Sequence, residues 1–491
     1  MALDILFMTV PKLEVQGPIL AVAQLNGCVK SAGYKSEFLD FNAWFYKQTI
    51  DTKMGYIWNV SDTTLIDKDL VLKIERQYTK EINRYYKKYI APKKPKIIGI
   101  TVFSYWSFPS IFLVTKVIKE KNPNVKIVLG GPALTTSHDG VVEVIDRLKR
   151  MKRIDDFISG DAEISIVKYL EGVKDYPGIN NYDFDNNFDR ETIPYADYTG
   201  IDFSLYKNNP LLYISGSRGC VRNCAFCNVP LLWRKFLWKS GERIANEMIH
   251  LYHQHNIKRF RFTDSLINGN QKEFVKMLEV IAKFTEETGV EFKFNGQFIF
   301  REIRQTDPTI FSKMIAAGLK TVSVGIESGS EKIRKEIGKP FSNEAVRFHL
   351  EEMKKVGLKF TPLMFVGFPT ETEEDFQDTL KILEMFAEYP EVVQTVASDH
   401  PMIMIPGTPV YINSEDYDIH NITNYFEWES KENDYKKRIE RHFIFLNRAI
   451  ELGLYEKPTV SGKSFNIGRK YLEEYEDQNE EVVKIIKSFT F

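Results

Sequence analysis

Short apolar runs alternate with stretches of helical period through most of the chain. Over the first part, runs at 4–8, 36–41, 97–102, 126–129 and 156–159 predict strands, and apolar positions at 3.6-residue spacing predict helices at 19–32, 111–121 and 141–151. Gly33 stands where a helix end calls for a left-handed residue. A helical, aromatic-rich insertion occupies 43–89. Five short strands with intervening helices predict an α/β domain with a doubly wound, flavodoxin-like (Rossmann-like) parallel sheet. Such sheets bind ligands at the carboxyl ends of their strands, here the loops 9–17, 103–109, 130–138 and 160–163.

The stretch 174–197 is rich in Asn, Asp, Tyr and Pro without apolar period, which predicts a linker over 174–205. A second series follows, with strands expected at 211–215, 259–263, 291–295, 321–327, 359–366 and 392–397 and amphipathic helices such as 241–253 and 343–356. Six units are too few to close an eight-fold barrel, so a partial (β/α)6 barrel with an open side is expected. The tail 412–491 is charged and mainly helical, and carries no chemical signal. The expected domains are thus 1–173, a linker at 174–205, 206–411 and 412–491.

Composition narrows the function classes. With 43% hydrophobic and 27% charged residues, and no apolar run of roughly 18 residues, the 491-residue chain reads as globular rather than membrane-spanning. Sixty-six basic and 67 acidic side chains nearly cancel, so global charge argues for neither nucleic acid nor an anionic membrane. Lys93, Lys94 and Lys96 form a short basic run that reads as a solvated face. The first ten residues have no basic leader region and no small-residue cleavage site, so a cytoplasmic location is expected. There are four cysteines, and three fall within eight positions. That clustering points to metal or redox chemistry rather than a disulfide framework.

The three lie in Ser217-Arg218-Gly219-Cys220-Val221-Arg222-Asn223-Cys224-Ala225-Phe226-Cys227, just after the first strand of the second series. Barrels of this kind carry their active sites at that end. Three thiolates in one loop can hold three irons of a 4Fe-4S cluster and leave the fourth open, whereas electron-transfer clusters normally take four cysteines. Two other readings stand beside this one. Zinc could take the three cysteines and a histidine from the helix carrying His250, His253 and His255, although no second Cys-x2-Cys knuckle follows. The cysteines could also be buried hydrophobes, against which stand the polar Arg222 and Asn223 between them.

The Cys-x3-Cys-x2-Cys spacing, with Phe226 before the last cysteine, resembles the signature of the radical S-adenosylmethionine (SAM) superfamily. The resemblance implies that the open iron chelates the amino and carboxylate groups of SAM, and that an electron from the cluster splits the sulfonium to give a 5′-deoxyadenosyl radical. Three further segments resemble the family's SAM contacts. Phe262-Thr263-Asp264 stands where members have a short polar or acidic motif, though not in the commoner Gly-Gly-Glu form, which implies SAM contacts from Thr263 and Asp264. Gly325-Ile326-Glu327-Ser328-Gly329 resembles a segment whose carboxylate and hydroxyl, here Glu327 and Ser328, approach the ribose and methionine. A carboxylate can accept from both ribose hydroxyls. Val366 and Gly367, opening Gly367-Phe368-Pro369-Thr370-Glu371-Thr372, match the turn that recognises adenine, while the same residues read equally as a strand-to-helix turn capped by Thr370 or Thr372. Pro406-Gly407-Thr408-Pro409 resembles a structural turn of the same family.

The first domain resembles the cobalamin-binding domain fused ahead of the barrel in one large subclass. The carrying segments are Ala32-Gly33-Tyr34, Ile98-Gly99-Ile100-Thr101, Gly130-Gly131-Pro132 and Gly160-Asp161-Ala162-Glu163. This implies corrin contacts near Gly130, Gly131, Gly160 and Glu163, with Tyr105 and Trp106 either packed against a corrin face or filling its space. Glycines at such places also serve ordinary turns. The Asp-x-His-x-x-Gly motif that supplies a cobalt ligand elsewhere is missing, and His138 is a lone loop histidine.

The resemblance thus implies a 4Fe-4S cluster, SAM and cobalamin, a flavodoxin- or ferredoxin-type reductase as electron donor, and methylation of an unactivated carbon on a small molecule or peptide. A corrin-free radical enzyme and a non-catalytic zinc module remain as alternatives. Methylthiotransferases and enzymes with auxiliary clusters need further cysteines, yet only Cys28 remains, in a helix where it reads as a small buried hydrophobe.

Overall fold

The computed structural model describes residues 2–11, 13, 15–52, 68–104, 107–134, 139–206, 210–456, 463–475 and 479–490. Contacts group the chain into two compact units, Met1–Ile214 with His255–Arg259, and Ser215–Gln254 with Phe260–Phe491.

In the first unit, strands β1 (Ile5–Thr9), β2 (Ser36–Asp40), β3 (Ile97–Thr101), β4 (Lys126–Gly130) and β5 (Asp156–Phe157) pair in parallel in the order β2-β1-β3-β4-β5. This is the flavodoxin-like order expected from the sequence. β1 is buried at all five positions, as a central strand covered on both faces must be. β5 stops at Phe157 because Ile158 pairs antiparallel with Ile179 and the Ser159 N–H turns to the Gly178 carbonyl. The segment read as a linker is fastened here: Arg190 pairs with Asp161 at 2.6 Å, and Asp197 with Lys30 at 3.0 Å. The aromatic insertion forms its own cluster. Phe41, Trp44 and Phe45, from helix Phe41–Thr49, meet Tyr78, Tyr85 and Tyr89 with centroids 4.5 to 6.3 Å apart. Residues 53–67 of that insertion lie outside the described residues.

The short strand β6 (Leu212–Ile214) ends the first unit. In the second, β7 (Ser217–Arg218) pairs antiparallel with β8 (Leu237–Trp238). Strands β9 (Arg259–Phe262), β10 (Lys293–Phe298), β11 (Leu319–Glu327) and β12 (Lys359–Met364) then lie side by side in chain order. The helices between them carry the expected signals. Ser342 caps Asn343–Val356, and Thr372 with Asp375 forms a capping box on Glu373–Ala387.

The sixth strand, expected at 392–397, is not continuous. Val393 and Ala397 make only isolated parallel bridges, to Phe360 and Leu363. The cause is Pro362, which has no N–H to offer the neighbouring chain. Before it, the Phe360 N–H reaches the Val392 carbonyl at 2.8 Å and the Gln394 N–H returns to Phe360 at 3.1 Å. Beyond it the pairing resumes one residue out of step, with the Ala397 N–H on Pro362 and the Met364 N–H on Ala397, while the Val396 N–H goes to Leu454. The tail supplies helices Tyr435–Glu451, Lys463–Tyr475 and Glu480–Thr490. No helix among the described residues is long and apolar enough to cross a membrane.

Two buried histidines make this unit sensitive to acid. His349 stacks on Phe300 at 4.1 Å and meets the Ala345 carbonyl, and burial pushes it down to about 4. Burial, with a contribution from His400, pushes His442 down to about 3. Both are neutral when folded and protonate near their ordinary 6.5 when unfolded. Their contribution to stability is complete above about pH 6.5 and is lost as pH falls toward 4 and below. Thermal melts from about pH 7 to about pH 4 should therefore show a falling Tm, with a shallower fall in His442→Gln than in the parent.

Candidate functional site

The β7–β8 pairing closes residues 219–236 into a loop that carries all three clustered cysteines. At its start Gly219 adopts φ 80°, and a Cβ there would lie 2.4 Å from the Lys235 carbonyl, so glycine lets the two ends of the loop approach. Asp264, just past β9 and 4% exposed, straps the entry: one oxygen accepts the Gly216 N–H at 3.0 Å and the other the Ser217 hydroxyl at 2.6 Å. The middle of the loop is fixed through Ala225, whose N–H reaches Ile337 at 2.9 Å and whose carbonyl accepts from Val410 at 2.8 Å. Cys224 is buried and Cys220 and Cys227 are partly so. Backbone N–H groups of Arg222 and Val229 approach the Cys220 and Cys227 sulfurs at 3.4 Å.

Burial pushes all three thiols up, their mutual proximity adds to that, and the Lys339 ammonium opposes it at each. Metal ligation displaces such protons outright. The donor set fits a 4Fe-4S cluster: three sulfurs in one loop, backed by N–H groups and one shared cation. Among the described residues no group of three or more His, Cys, Asp or Glu is gathered to hold a single metal ion. Of the three histidines the zinc reading offered, two pack on aromatic rings instead, His253 on Phe284 and His255 on Tyr198 and Phe203.

Lys339 gave no signal in the sequence. Its ammonium sits 2.5 Å from a Glu327 oxygen and 3.0 Å from the Gly325 carbonyl. Glu327 itself is held at φ 68°, left-handed for a side chain that avoids it, where the β11–β12 register shifts. A Cβ on Gly325 would come within 2.2 Å of both the Glu327 oxygen and the Lys339 nitrogen, so that glycine is what lets the ion pair form. Phe226 meets Phe365 edge-on at 5.0 Å, with Lys339 6.0 Å from its ring centre. The cysteines, Phe226, Glu327 and Lys339 are thus brought together.

Other expected contacts face inward. The Ser328 hydroxyl is shared with Thr379 at 3.0 Å and accepts the Ser330 N–H. Its carbonyl receives the fully buried Arg334, whose pKa burial lowers to about 10. The Val366 carbonyl accepts the Met402 N–H, and the Gly367 N–H, at φ 83°, donates to Glu371 at 2.6 Å. Thr372 is the helix cap, while Thr263 is exposed.

The first-unit candidates lie at the carboxyl ends of β4 and β5. A Cβ on Gly131 would strike the Val102 carbonyl at 2.6 Å, and one on Gly160 the Phe184 ring at 2.5 Å, so both glycines answer to the chain's own packing. At Gly130 the space is open save for the Ile158 carbonyl at 3.6 Å, and Glu163 is buried. Tyr105, Trp106 and His138 lie outside the described residues.

Residues 214–383 match the model of the Radical SAM superfamily, so the chain carries a radical SAM domain there. A domain of this kind implies a 4Fe-4S cluster and SAM as cofactors. An uncharacterized methyltransferase of Pyrococcus horikoshii is 25% identical over 62% of this chain and 68% of its own length. Two other curated relatives are spanned over only 63% and 60% of their lengths. The fold is shared with the radical SAM methyltransferase TsrM of Kitasatospora setae, solved with cobalamin and a [4Fe-4S] cluster, at TM-score 0.64 and 14% identity over 100% of this chain and 99% of that one. It is shared too with the cobalamin-dependent radical enzyme OxsB, at TM-score 0.67 and 13% identity over 99% of this chain and 70% of that one.

If Asp264 straps the loop as the geometry indicates, Asp264→Ala leaves the buried Gly216 N–H without its acceptor and the Ser217 hydroxyl with only the Leu266 carbonyl at 3.5 Å. Denaturant unfolding should report a loss of about 1–3 kcal/mol, smaller in Asp264→Asn.

Proposed function

We propose that the protein is a cobalamin-dependent radical SAM methyltransferase that acts on an unactivated carbon of a small molecule or peptide. The observation that carries the radical part is the closed three-thiol loop, pinned by Gly219, Asp264 and Ala225 with Lys339 beside it. Support for the corrin comes from the fold shared along the whole chain with two enzymes solved with cobalamin. When bound, the cluster supplies the electron that splits the SAM sulfonium, and the corrin a transferable methyl group.

In this reading Cys220, Cys224 and Cys227 hold the cluster. Glu327, fixed by Lys339, accepts from the SAM ribose, while the turn at Val366 and Gly367 shapes the adenine end. Asp264 and Ser328 act by positioning, since their polar atoms are engaged within the protein. A reductase of flavodoxin or ferredoxin type delivers the electron, in the cytoplasm, where thiols stay reduced. Radical chemistry without a corrin is the second reading. It is favoured by Gly131 and Gly160, whose free faces the chain itself fills.

Anaerobic reconstitution should load about four iron and about four sulfide per chain, and Cys220→Ala, Cys224→Ala or Cys227→Ala should each abolish this. Protein that takes up zinc but no iron would sink the proposal. Purification with corrin absorption retained supports the methyltransferase, whereas 5′-deoxyadenosine formation by corrin-free protein selects the second reading. Cys28, buried in helix Leu20–Ser31, is not a ligand in either case, so Cys28→Ala should keep full iron content.

A further inference from the structure

The tail, which carried no chemical signal in the sequence, grips the turn that follows β12. The Asn433 side-chain amide donates to the carbonyls of Phe368 at 2.8 Å and Glu371 at 3.0 Å. The Ser430 hydroxyl donates to the Pro369 carbonyl at 2.8 Å. Arg441, from helix Tyr435–Glu451 and 2% exposed, donates to the Glu371 carbonyl at 2.9 Å, to its carboxylate at 3.3 Å, to the Asn433 side-chain oxygen at 2.8 Å and to Glu373 at 3.1 Å. A Cβ on Gly367 would strike the Arg438 stem at 2.6 Å, so the helix packs directly on the turn.

The wiring has a direction. Glu371, 1% exposed, is the acceptor of the Gly367 N–H, and Arg441 is the guanidinium that faces its carboxylate. Burial pushes this carboxyl up to about 7, against Arg441 and the Gly367 N–H. Remove Arg441 and the buried carboxyl loses its counter-charge, so the neutral acid is favoured and the Gly367 N–H is held by a weaker acceptor, while the carbonyl of Glu371 loses the guanidinium that ties it to the tail. Phe368, the next residue, packs in the same apolar cluster as Cys224, Phe226 and Trp428, so the turn cannot shift alone.

We infer that Asn433 and Arg441 are positioning residues for SAM: the C-terminal segment sets the shape of the Gly367 turn and thereby the adenosyl end of the pocket. This rests on the reading that the turn receives SAM.

The test is SAM binding, by calorimetry, to the anaerobic full-length protein carrying its cluster. Arg441→Met and the milder Asn433→Ala should each weaken binding by about tenfold or more while iron and sulfide content stay at the parent level. Arg441→Lys should recover part of the loss. Arg448→Ala, on the same helix but paired with Glu384 and Glu451 at the surface, should bind as the parent does. Unchanged affinity in both Arg441→Met and Asn433→Ala would overturn the inference, as would loss of the cluster together with the affinity. Failure of the cluster-loaded parent itself to bind SAM would instead remove the underlying reading.

Discussion

Everything at the site depends on holding three sulfurs in a loop that would otherwise be free to splay. Ordering such a loop costs about 1–2 kcal/mol per residue in backbone entropy, and collecting three thiols away from water disfavours the anionic form that binds metal. The chain meets both demands with backbone ties: a two-residue antiparallel clasp, the Asp264 strap, and hydrogen bonds to Ala225 from either side. The N–H groups aimed at Cys220 and Cys227, with Lys339 nearby, ease the electrostatic demand. The helix Glu331–Ile337, which Lys339 follows after the Gly338 cap, also receives the Ala225 N–H, so one helix end serves the loop mechanically and electrically.

A second theme is the burial of charge against irregular backbone in the second unit. Arg334, Arg438 and Arg441 are at most 2% exposed, and each reaches backbone carbonyls of a turn or loop. A buried guanidinium is expensive unless its donors are satisfied, and its fork suits adjacent carbonyls. Irregular backbone near the pocket is thereby held by side chains that cannot easily leave. Glu327 and Lys339 use the same device, with Gly325 giving the room.

The alternation of strands and helices in the first unit was legible because β1 and β3 read as apolar runs and the helices between strands keep period 3.6, and that alternation is what a doubly wound sheet requires. The cysteine loop was legible because its chemistry depends on spacing within eight residues. What escaped were partnerships at long range. Nothing near Lys339 in the sequence marks it as the partner of Glu327, twelve residues away across a helix. Arg441 meets Glu371 from seventy residues away, and a charged amphipathic helix looks the same whether its inner arginines face solvent or a turn. The sixth strand failed for a local reason: the run at 392–397 is apolar enough, but the obstacle, Pro362, sits on its neighbour.

That proline also bears on solubility. A parallel sheet left unclosed presents a row of backbone groups to any passing extended chain, the usual route to edge-to-edge aggregation. Here the outermost segment touches its neighbour at two isolated bridges, and between them the Val396 N–H is occupied by Leu454. An intruding strand would find no regular ladder to extend, so the fold can keep one flank open without that flank seeding fibrils.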